Sequence, residues 1–391
     1  MTRPTAAPPY LPLSRPAIAD GEVEAVADVL RSGWLPTRAR GREVERAFAA
    51  YVGAPHAIAL NSCTAGLHLA LLAAGVGPGD EVVTTPLTFC ATANVVLHVG
   101  ATPVFADVEE DTHSLDPRAV AAALTPRTRA VMAVHLGGRP ADVLGLREVA
   151  ARAGLTLIED AAHCVEGVSN AGKVGATADF TCFSFYATKN ISTGEGGMVT
   201  APSEEAAAFI RTASLHGLSR DGWARYAKGG TALYDVVTPG FKYNMMDIQA
   251  ALGLRQLARL EELQAVRARV WAVYDDGLDG LGLGLPLPCP PGVVHARHLY
   301  QVLVDPARCG WTRDALAEAL GEEGIGTSVH FRPVHLFSYY ADRFGYRRGA
   351  YPVAERVADQ TLSLPLSGAM TPSDAERVVD AVRQCLRRRA T

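Results

Sequence analysis

HAIALNSCTAGLHLALLAAGVGPGDEVVTTP, residues 56–86, is the stretch on which the fold turns. His56–Leu60 is short and apolar, the pattern of a buried strand. It runs into the small polar residues Asn61–Thr64. Ala65–Ala74 then reads as a helix that is apolar on nearly every side, hence a buried one. Gly77-Pro78-Gly79-Asp80 is a turn, and Glu81–Thr85 is a second strand. Strand, helix, turn and strand make the unit from which parallel sheets are built.

The same alternation continues on the C-terminal side. A helix is expected over Leu87–Val96, a strand over Pro103–Phe105, a helix over Pro117–Ala123 and a strand over Ala130–Val134. Asp142–Ala153 follows as a helix with Gly154 as its C-cap, and then the strand Leu155–Ile158, which ends in Glu159-Asp160. Short helices are expected before the stretch, over 20–31 and 43–52. This is the pattern of an α/β fold with a mostly parallel sheet. Ligands of such sheets bind beyond the carboxyl ends of the strands, where Thr64, His135 and Asp160 fall.

Past Ser203–Leu215 the polar stretch Ser219–Gly230 reads as an irregular loop or flap. Asp247–Leu278 reads as one long helical region that holds a domain boundary. A large domain is expected over 1–255, with the first ~20 residues free to pack elsewhere. A smaller α+β domain is expected over 256–391. Its strands should lie near Leu299–Val304 and Ile325–His330, and its helices near Thr312–Glu323 and Pro372–Leu386.

The totals narrow the function classes. With 48% hydrophobic and 20% charged residues the chain is a globular protein rather than a disordered one. A net charge of -4 offers no nucleic-acid surface. The dense basic run Arg387-Arg388-Arg389 suits the solvated end of a helix. Seven cysteines without a CxxC spacing argue against a disulfide framework and against a zinc site. No metal is expected. Met1–Arg15 lacks the apolar segment of a signal peptide, and no apolar run is long enough to span a membrane. The expected compartment is the cytoplasm, with no membrane partner.

Of the 37 basic residues only Lys173, Lys189, Lys228 and Lys242 are lysines. Where arginine has taken most charged positions, a remaining lysine is suspected of chemistry that arginine cannot perform. Lys189 stands between the half-apolar segment Phe180–Tyr186 and the turn Gly194-Glu195-Gly196-Gly197. It can be a loop lysine paired with Glu195, or a reactive amine. A pyridoxal cofactor needs such an amine, a carboxylate against its ring nitrogen, a phosphate cradle and a flat partner for its ring. Asp160 can supply the carboxylate, or simply cap a helix. Ser62-Cys63-Thr64 at a strand-to-helix junction can cradle a phosphate with Ser184, or act as an N-cap. Phe89 can stack on a ring or belong to the core. His163, one helical turn from Asp160, can share its pocket or be a satisfied buried histidine.

In this company the chain resembles the pyridoxal-phosphate sugar aminotransferases of the DegT/DnrJ/EryC1/StrS type, within the fold-type I aminotransferases. The matching stretches are SGW (Ser32–Trp34), NSCTAGLHLAL (Asn61–Leu71), PLTFCATAN (Pro86–Asn94) and IEDAAH (Ile158–His163). They continue with FSFYATKNISTGEGGMV (Phe183–Val199), GFKYNMMDIQAALGLRQL (Gly240–Leu257), HFRPVHL (His330–Leu336) and LSLPL (Leu362–Leu366). The resemblance implies a three-layer cofactor domain with a mostly parallel central sheet, plus a smaller α+β C-terminal domain. It implies that Lys189 carries pyridoxal 5'-phosphate as a Schiff base and shuttles the proton. Asp160 then lies against the ring nitrogen, and His163 lies near the phenolic oxygen. Ser184, Thr64 and the Cys63 backbone hold the phosphate, and Phe89 stacks on the ring. Asn244 reaches the phosphate of the neighbouring subunit in a homodimer with shared sites. Cys63 stands where glycine is common, and Leu35–Gly41 departs from the usual glycine turn.

The expected reaction moves the amino group of L-glutamate onto a keto sugar, a nucleotide-linked 4-keto-6-deoxy hexose in the first place. Trp34, Tyr226, His330 and Arg332 are candidate substrate residues. An amino-cyclitol-forming aminotransferase of the scyllo-inosose type is the alternative acceptor reading. A non-enzymatic regulatory or binding protein on the same scaffold is the alternative class. Lys189 argues against the dehydratases that carry histidine at this position, and NSCTAG in place of GxGxxG argues against a nicotinamide enzyme.

Overall fold

The computed structural model describes residues 9–37, 39–218 and 234–388. The elements follow in chain order. Helices α1 (Asp20–Ser32) and α2 (Ala39–Val52) precede β1 (His56–Leu60), α3 (Cys63–Ala73), β2 (Glu81–Thr84), α4 (Ala91–His98) and β3 (Thr102–Phe105). Next come α5 (Pro117–Ala123), β4 (Thr128–Val134), α6 (Val143–Ala153) and β5 (Thr156–Asp160). The short β6 (Val168–Ser169) and β7 (Gly172–Lys173) lead to β8 (Phe180–Ser184), β9 (Gly197–Ala201) and α7 (Glu204–Ser214). Among the described residues the remaining elements are helices and two strands. Helices α8 (Asp247–Ala258) and α9 (Leu260–Leu278) lead to β10 (Tyr300–Leu303), α10 (Pro306–Cys309) and α11 (Arg313–Glu322). The chain ends with α12 (Ser338–Phe344), α13 (Pro352–Gln360), β11 (Thr361–Leu364) and α14 (Pro372–Arg387).

The central sheet has seven strands in the order β1-β9-β8-β5-β4-β2-β3. Strand β9 runs against both neighbours, and the other neighbouring pairs are parallel. Alternate strand residues feed opposite faces, as the two-residue period demands. Val82, Met132 and Ile158 pack with α3, α4 and α7, whereas Val83, Val131 and Leu157 pack with α5 and α6. Helices α2 and α8 cover the second face at its β1–β9 end through Val44, Phe48 and Ala250. The result is the expected three-layer α/β architecture. Among the described residues no helix is long and apolar enough to cross a membrane.

The C-terminal part packs α9, α11 and α14 on the two-stranded β10–β11 sheet around Tyr274, Tyr300 and Leu362. Three expectations are corrected here. The run Asp247–Leu278 is two helices that meet at Arg259. Residues Ile325–His330 form no ladder and make only single bridges from Ile325 to Leu11 and from Ser328 to Ser363. The partner of β10 is β11, and Leu11 pairs with Ile325 because the N-terminal segment lies along this part of the molecule. The helix expected over Leu87–Val96 starts at Ala91, since Thr85–Cys90 turns across the end of the sheet with Thr85 Oγ1 accepting from Leu87 N–H at 3.0 Å.

Candidate active site

Six of the seven central strands point their carboxyl ends the same way, and a cavity of about 470 Å³ opens there. Leu60, Val134, Asp160 and Ser184 end β1, β4, β5 and β8. The antiparallel β9 begins at the same edge, with Gly197 opposite both Leu60 and Ser184. A side chain on Gly197 would place its Cβ 2.4 Å from the Ser62 carbonyl carbon, so glycine is what lets β9 close against the start of α3.

Asp160 is buried at the floor of this cavity. Its Oδ2 accepts from Thr92 Oγ1 at 2.8 Å, and Thr92 shares a hydrogen bond with Thr88 Oγ1 at 2.8 Å. Its Oδ1 accepts from Ala162 N–H at 3.2 Å, with Cys63 Sγ at 3.8 Å. Burial pushes the Asp160 carboxyl above the usual range, while Thr92, the Ala162 N–H and Lys189 hold the charged form. A positive ring N–H is the partner that would relieve this burial.

Lys189 follows β8 on a tight loop in which its N–H donates to Tyr186 O at 2.9 Å. The protein around its amine pushes the ammonium down to about 8, against the opposing pull of Asp160 and Cys63. A fraction of this lysine is therefore a free nucleophile near neutral pH. The next residue, Asn190, is buried and fixed. Its Nδ2 donates to both Glu166 carboxylate oxygens at 3.0 and 2.8 Å and to Ala296 O at 2.8 Å. Glu166 is paired in turn with Arg267 of α9.

Two imidazoles form one wall. His163 and His298 have ring centroids 4.4 Å apart, and His163 stacks on Phe331 at 6.0 Å. Burial, with the charge of Lys189, pushes both well below the usual imidazole range, so both are neutral. Gly137 N–H donates to His163 Nδ1 at 3.2 Å, which leaves the His163 proton on Nε2. Burial and Lys189 likewise push His330 down to about 4.

An anion cradle lies opposite. Ser62 caps α3 by accepting Ala65 N–H at 3.1 Å, and its carbonyl takes Gly66 N–H at 3.2 Å. Cys63 and Thr64, the first two residues of α3, have no acceptor within the helix for their N–H groups, and both line the cavity. Their N–H groups, the Thr64 hydroxyl, the Ser184 hydroxyl and the helix dipole suit a phosphate. Phe89 is 59% exposed, lines the cavity and meets Phe331 with ring centroids 6.0 Å apart, so it is an aromatic wall of the site rather than a core residue. The set fits a flat, phosphorylated heteroaromatic ring with a protonated nitrogen over Asp160 and a carbon within reach of Lys189.

The structure thus gathers Lys189, Asp160, His163, Ser184, Cys63, Thr64, Phe89 and His330 around one space. Trp34, Arg332 and Asn244 do not line it. Arg332 is exposed, donates to Leu336 O at 2.8 Å and lies over the Phe337 ring. Asn244 borders a separate groove of about 870 Å³ and donates to Thr37 Oγ1 at 2.9 Å. Tyr226 lies outside the described residues. Thr92, His298, Phe331 and Ser14 are partners of the site that the sequence reading did not find. The usable signal was a histidine placed just before the apolar strand LYQV, and two threonines one helical turn apart beside Phe89.

The DegT/DnrJ/EryC1/StrS aminotransferase family profile matches residues 16–383. The spore coat polysaccharide biosynthesis protein SpsC of Bacillus subtilis (strain 168) is 48% identical over 380 residues, 97% of each chain. Spr1654 from Streptococcus pneumoniae in its PLP form has a TM-score of 0.91 at 32% identity, covering 98% of this chain and 100% of that one. It has also been solved in a PMP form. DesI, solved in the presence of its TDP-sugar product, has a TM-score of 0.87 at 35% identity, covering 98% of this chain and 95% of that one.

Proposed function

The chain belongs to the DegT/DnrJ/EryC1/StrS aminotransferase family, and from that premise we propose that it moves the amino group of glutamate onto a nucleotide-linked 4-keto-6-deoxy hexose. It is a pyridoxal-phosphate-dependent aminotransferase. The observation that carries the reading is the meeting of an amine lowered to about 8 with a buried carboxylate and a helix N-terminus in one cavity. When bound, pyridoxal phosphate supplies an electrophilic carbon and a conjugated ring that takes up the electrons of the carbon being transformed.

In this reading Lys189 Nζ would hold the cofactor covalently and, once freed by the donor, would take the proton from the donor's α-carbon. Asp160 keeps the ring nitrogen protonated by charge pairing, and Thr92 holds that carboxylate in place. The first N–H groups of α3, with Thr64 and Ser184, fix the phosphate. Phe89 would cover one face of the ring, and His163 would offer its Nε2–H to the phenolic oxygen. Lys189 would hold and return the proton in the reverse sense when the acceptor ketone takes the place of the donor.

A sugar acceptor is supported by the TDP-sugar product of DesI and by the polysaccharide role of SpsC. The protein acts as a homodimer in which Asn244 serves the partner's phosphate. This is supported by the place of Asn244 on a groove away from its own Lys189, and by the exposed Val236, Val237 and Met246 near it in sequence. The test is the second half-reaction from the pyridoxamine form, read by the returning cofactor absorbance. Return with a nucleotide-linked 4-keto-6-deoxy hexose is expected, and return only with a free cyclitol ketone would overturn the acceptor.

A further inference from the structure

We propose that His298 is a positioning residue for Lys189, held by Asn190 in the tautomer whose bare Nε2 faces the cavity and accepts a hydrogen bond from the lysine amine. The argument starts from Asn190. Its Nδ2 donates to the Glu166 carboxylate and to Ala296 O, neither of which can donate back. The amide orientation is therefore fixed, and Asn190 presents Oδ1 to His298 Nδ1 at 3.1 Å. An amide oxygen only accepts, so the His298 proton sits on Nδ1 and the lone pair on Nε2. His163 is fixed in the opposite sense by the Gly137 N–H. The two neighbouring rings, 4.4 Å apart, thus offer one donor and one acceptor to the same cavity.

Lys189 and Asn190 are consecutive, so the anchor of His298 and the backbone of the reacting amine move as one body. Arg267 of α9 pairs with Glu166 and keeps that body in place, while His298 comes from the segment leading to β10. The charged and titratable groups that share the cavity with Lys189 are Asp160 and Cys63 on the floor, His135, His163, His298 and His330 on the walls, and Tyr186 and Glu195 on the loop. His135 accepts the Ala141 N–H on Nδ1 and so offers a proton, not a lone pair. Asp160 is committed to Thr92 and to the Ala162 N–H, and His163 offers a proton rather than a lone pair. His298 is the neutral acceptor of this set whose tautomer the structure fixes. An acceptor at that point gives the freed amine a defined direction without taking its proton, because burial and Lys189 keep His298 from becoming charged.

The inference rests on Lys189 being the reacting amine, and the test separates the two. The chain has four lysines, so apo protein labelled with ¹³C at the lysine ε-carbon gives four ε signals to titrate by NMR. H298N keeps a donor for Asn190 Oδ1 but has no atom at Nε2. Losing the acceptor disfavours the ammonium, so the Lys189 titration should move down by about one unit from its value of about 8, while H298Q recovers part of the shift. An unchanged Lys189 titration in H298N would overturn the proposal. A neutron structure of the apo wild-type protein keeps the test alive should H298N not fold. It should show deuterium on His298 Nδ1, and deuterium on Nε2 with a bare Nδ1 overturns the proposal. Covalent cofactor on another lysine would overturn the proposed function and leave the His298 result standing by itself.

Discussion

The arginine–glutamate pair behind the active lysine gives the most quantitative prediction. The Arg267 and Glu166 side chains are 3% and 2% exposed. Burial pushes Glu166 up and Arg267 down, and each holds the other charged. Arg267→Met removes one partner and leaves a carboxylate with only Asn190 and the field of Lys173. The cheapest escape is for Glu166 to take up a proton. From an unfolded value of about 4.3, holding that proton at about pH 7.5 costs about 4.4 kcal/mol, in line with the roughly 3–5 kcal/mol for breaking a buried pair. The sign follows from the raised folded value. Stability is full below the unfolded value of about 4.3 and is lost as pH rises toward the folded one, because there the folded state binds the extra proton. At about pH 5.5 the same cost is only about 1.6 kcal/mol, so the gap to wild type should narrow by about 2.7 kcal/mol between the two pH values. Urea unfolding at both pH values measures it, and E166Q in the same chain should remove most of the pH dependence. A gap below about 1 kcal/mol, or one that does not change with pH, would refute the claim that this pair is dry and mutually dependent.

Three further outcomes are expected. Lys189→Ala should fold, bind the cofactor without a covalent link and lose turnover, and borohydride reduction with peptide mapping that labels Lys173, Lys228 or Lys242 in the wild type would contradict this. The rate of covalent cofactor capture by the apo protein should rise about tenfold per pH unit below about 8 and flatten above it, as the free amine fraction saturates; a bend near the ordinary lysine value would remove the argument from burial. Separately purified K189A and N244A subunits, each inactive, should regain about a quarter of wild-type activity when mixed at equal amounts and allowed to exchange, since half the dimers then carry one intact site. No recovery, with light scattering showing dimers, would place Asn244 in its own subunit's site.

Much of this was legible in the sequence for local reasons. The apolar runs at His56–Leu60, Ala130–Val134 and Leu155–Ile158 are strands because short apolar stretches bounded by glycine turns have few alternatives, and Asp160 falls at a strand end by the same count. Lys189 stood out because arginine has replaced lysine almost everywhere else. What stayed hidden depends on contacts between distant segments. Nothing near Ile325–His330 says that its neighbour is Leu11 on one side and Ser363 on the other. Nothing in Asp247–Leu278 marks the break at Arg259, where the Arg259 guanidinium turns to buried Glu22 of α1 and to Glu262. Thr92 reads as one small polar residue on a buried helix until β5 brings Asp160 to 2.8 Å from its hydroxyl. His298 acquires its role only through Asn190, which lies 108 residues away in sequence.

That dispersion bears on how one lysine can serve two purposes. Its amine must be bound at one stage and free at the next, while the atoms it serves stay in place. The backbone around it is tied from several directions. Phe185 N–H reaches Gly196 O at 2.9 Å, Thr193 N–H reaches Phe185 O at 2.8 Å, and Asn190 is locked to Glu166 and Ala296. Ser14, on the N-terminal segment that Leu366 N–H holds through Leu13 O at 2.9 Å, donates to Thr188 O at 3.2 Å. The motion left to the lysine is therefore that of its own four-carbon chain, swinging in a cavity whose walls come from α3, β4, β5 and β8 on one side and from His298, His330 and Leu364 on the other. A loop that carried the amine by bending its backbone would lose the Asn190–His298 contact on each cycle. A side chain swinging from a fixed loop keeps it, and so returns to the same acceptor each time it is freed.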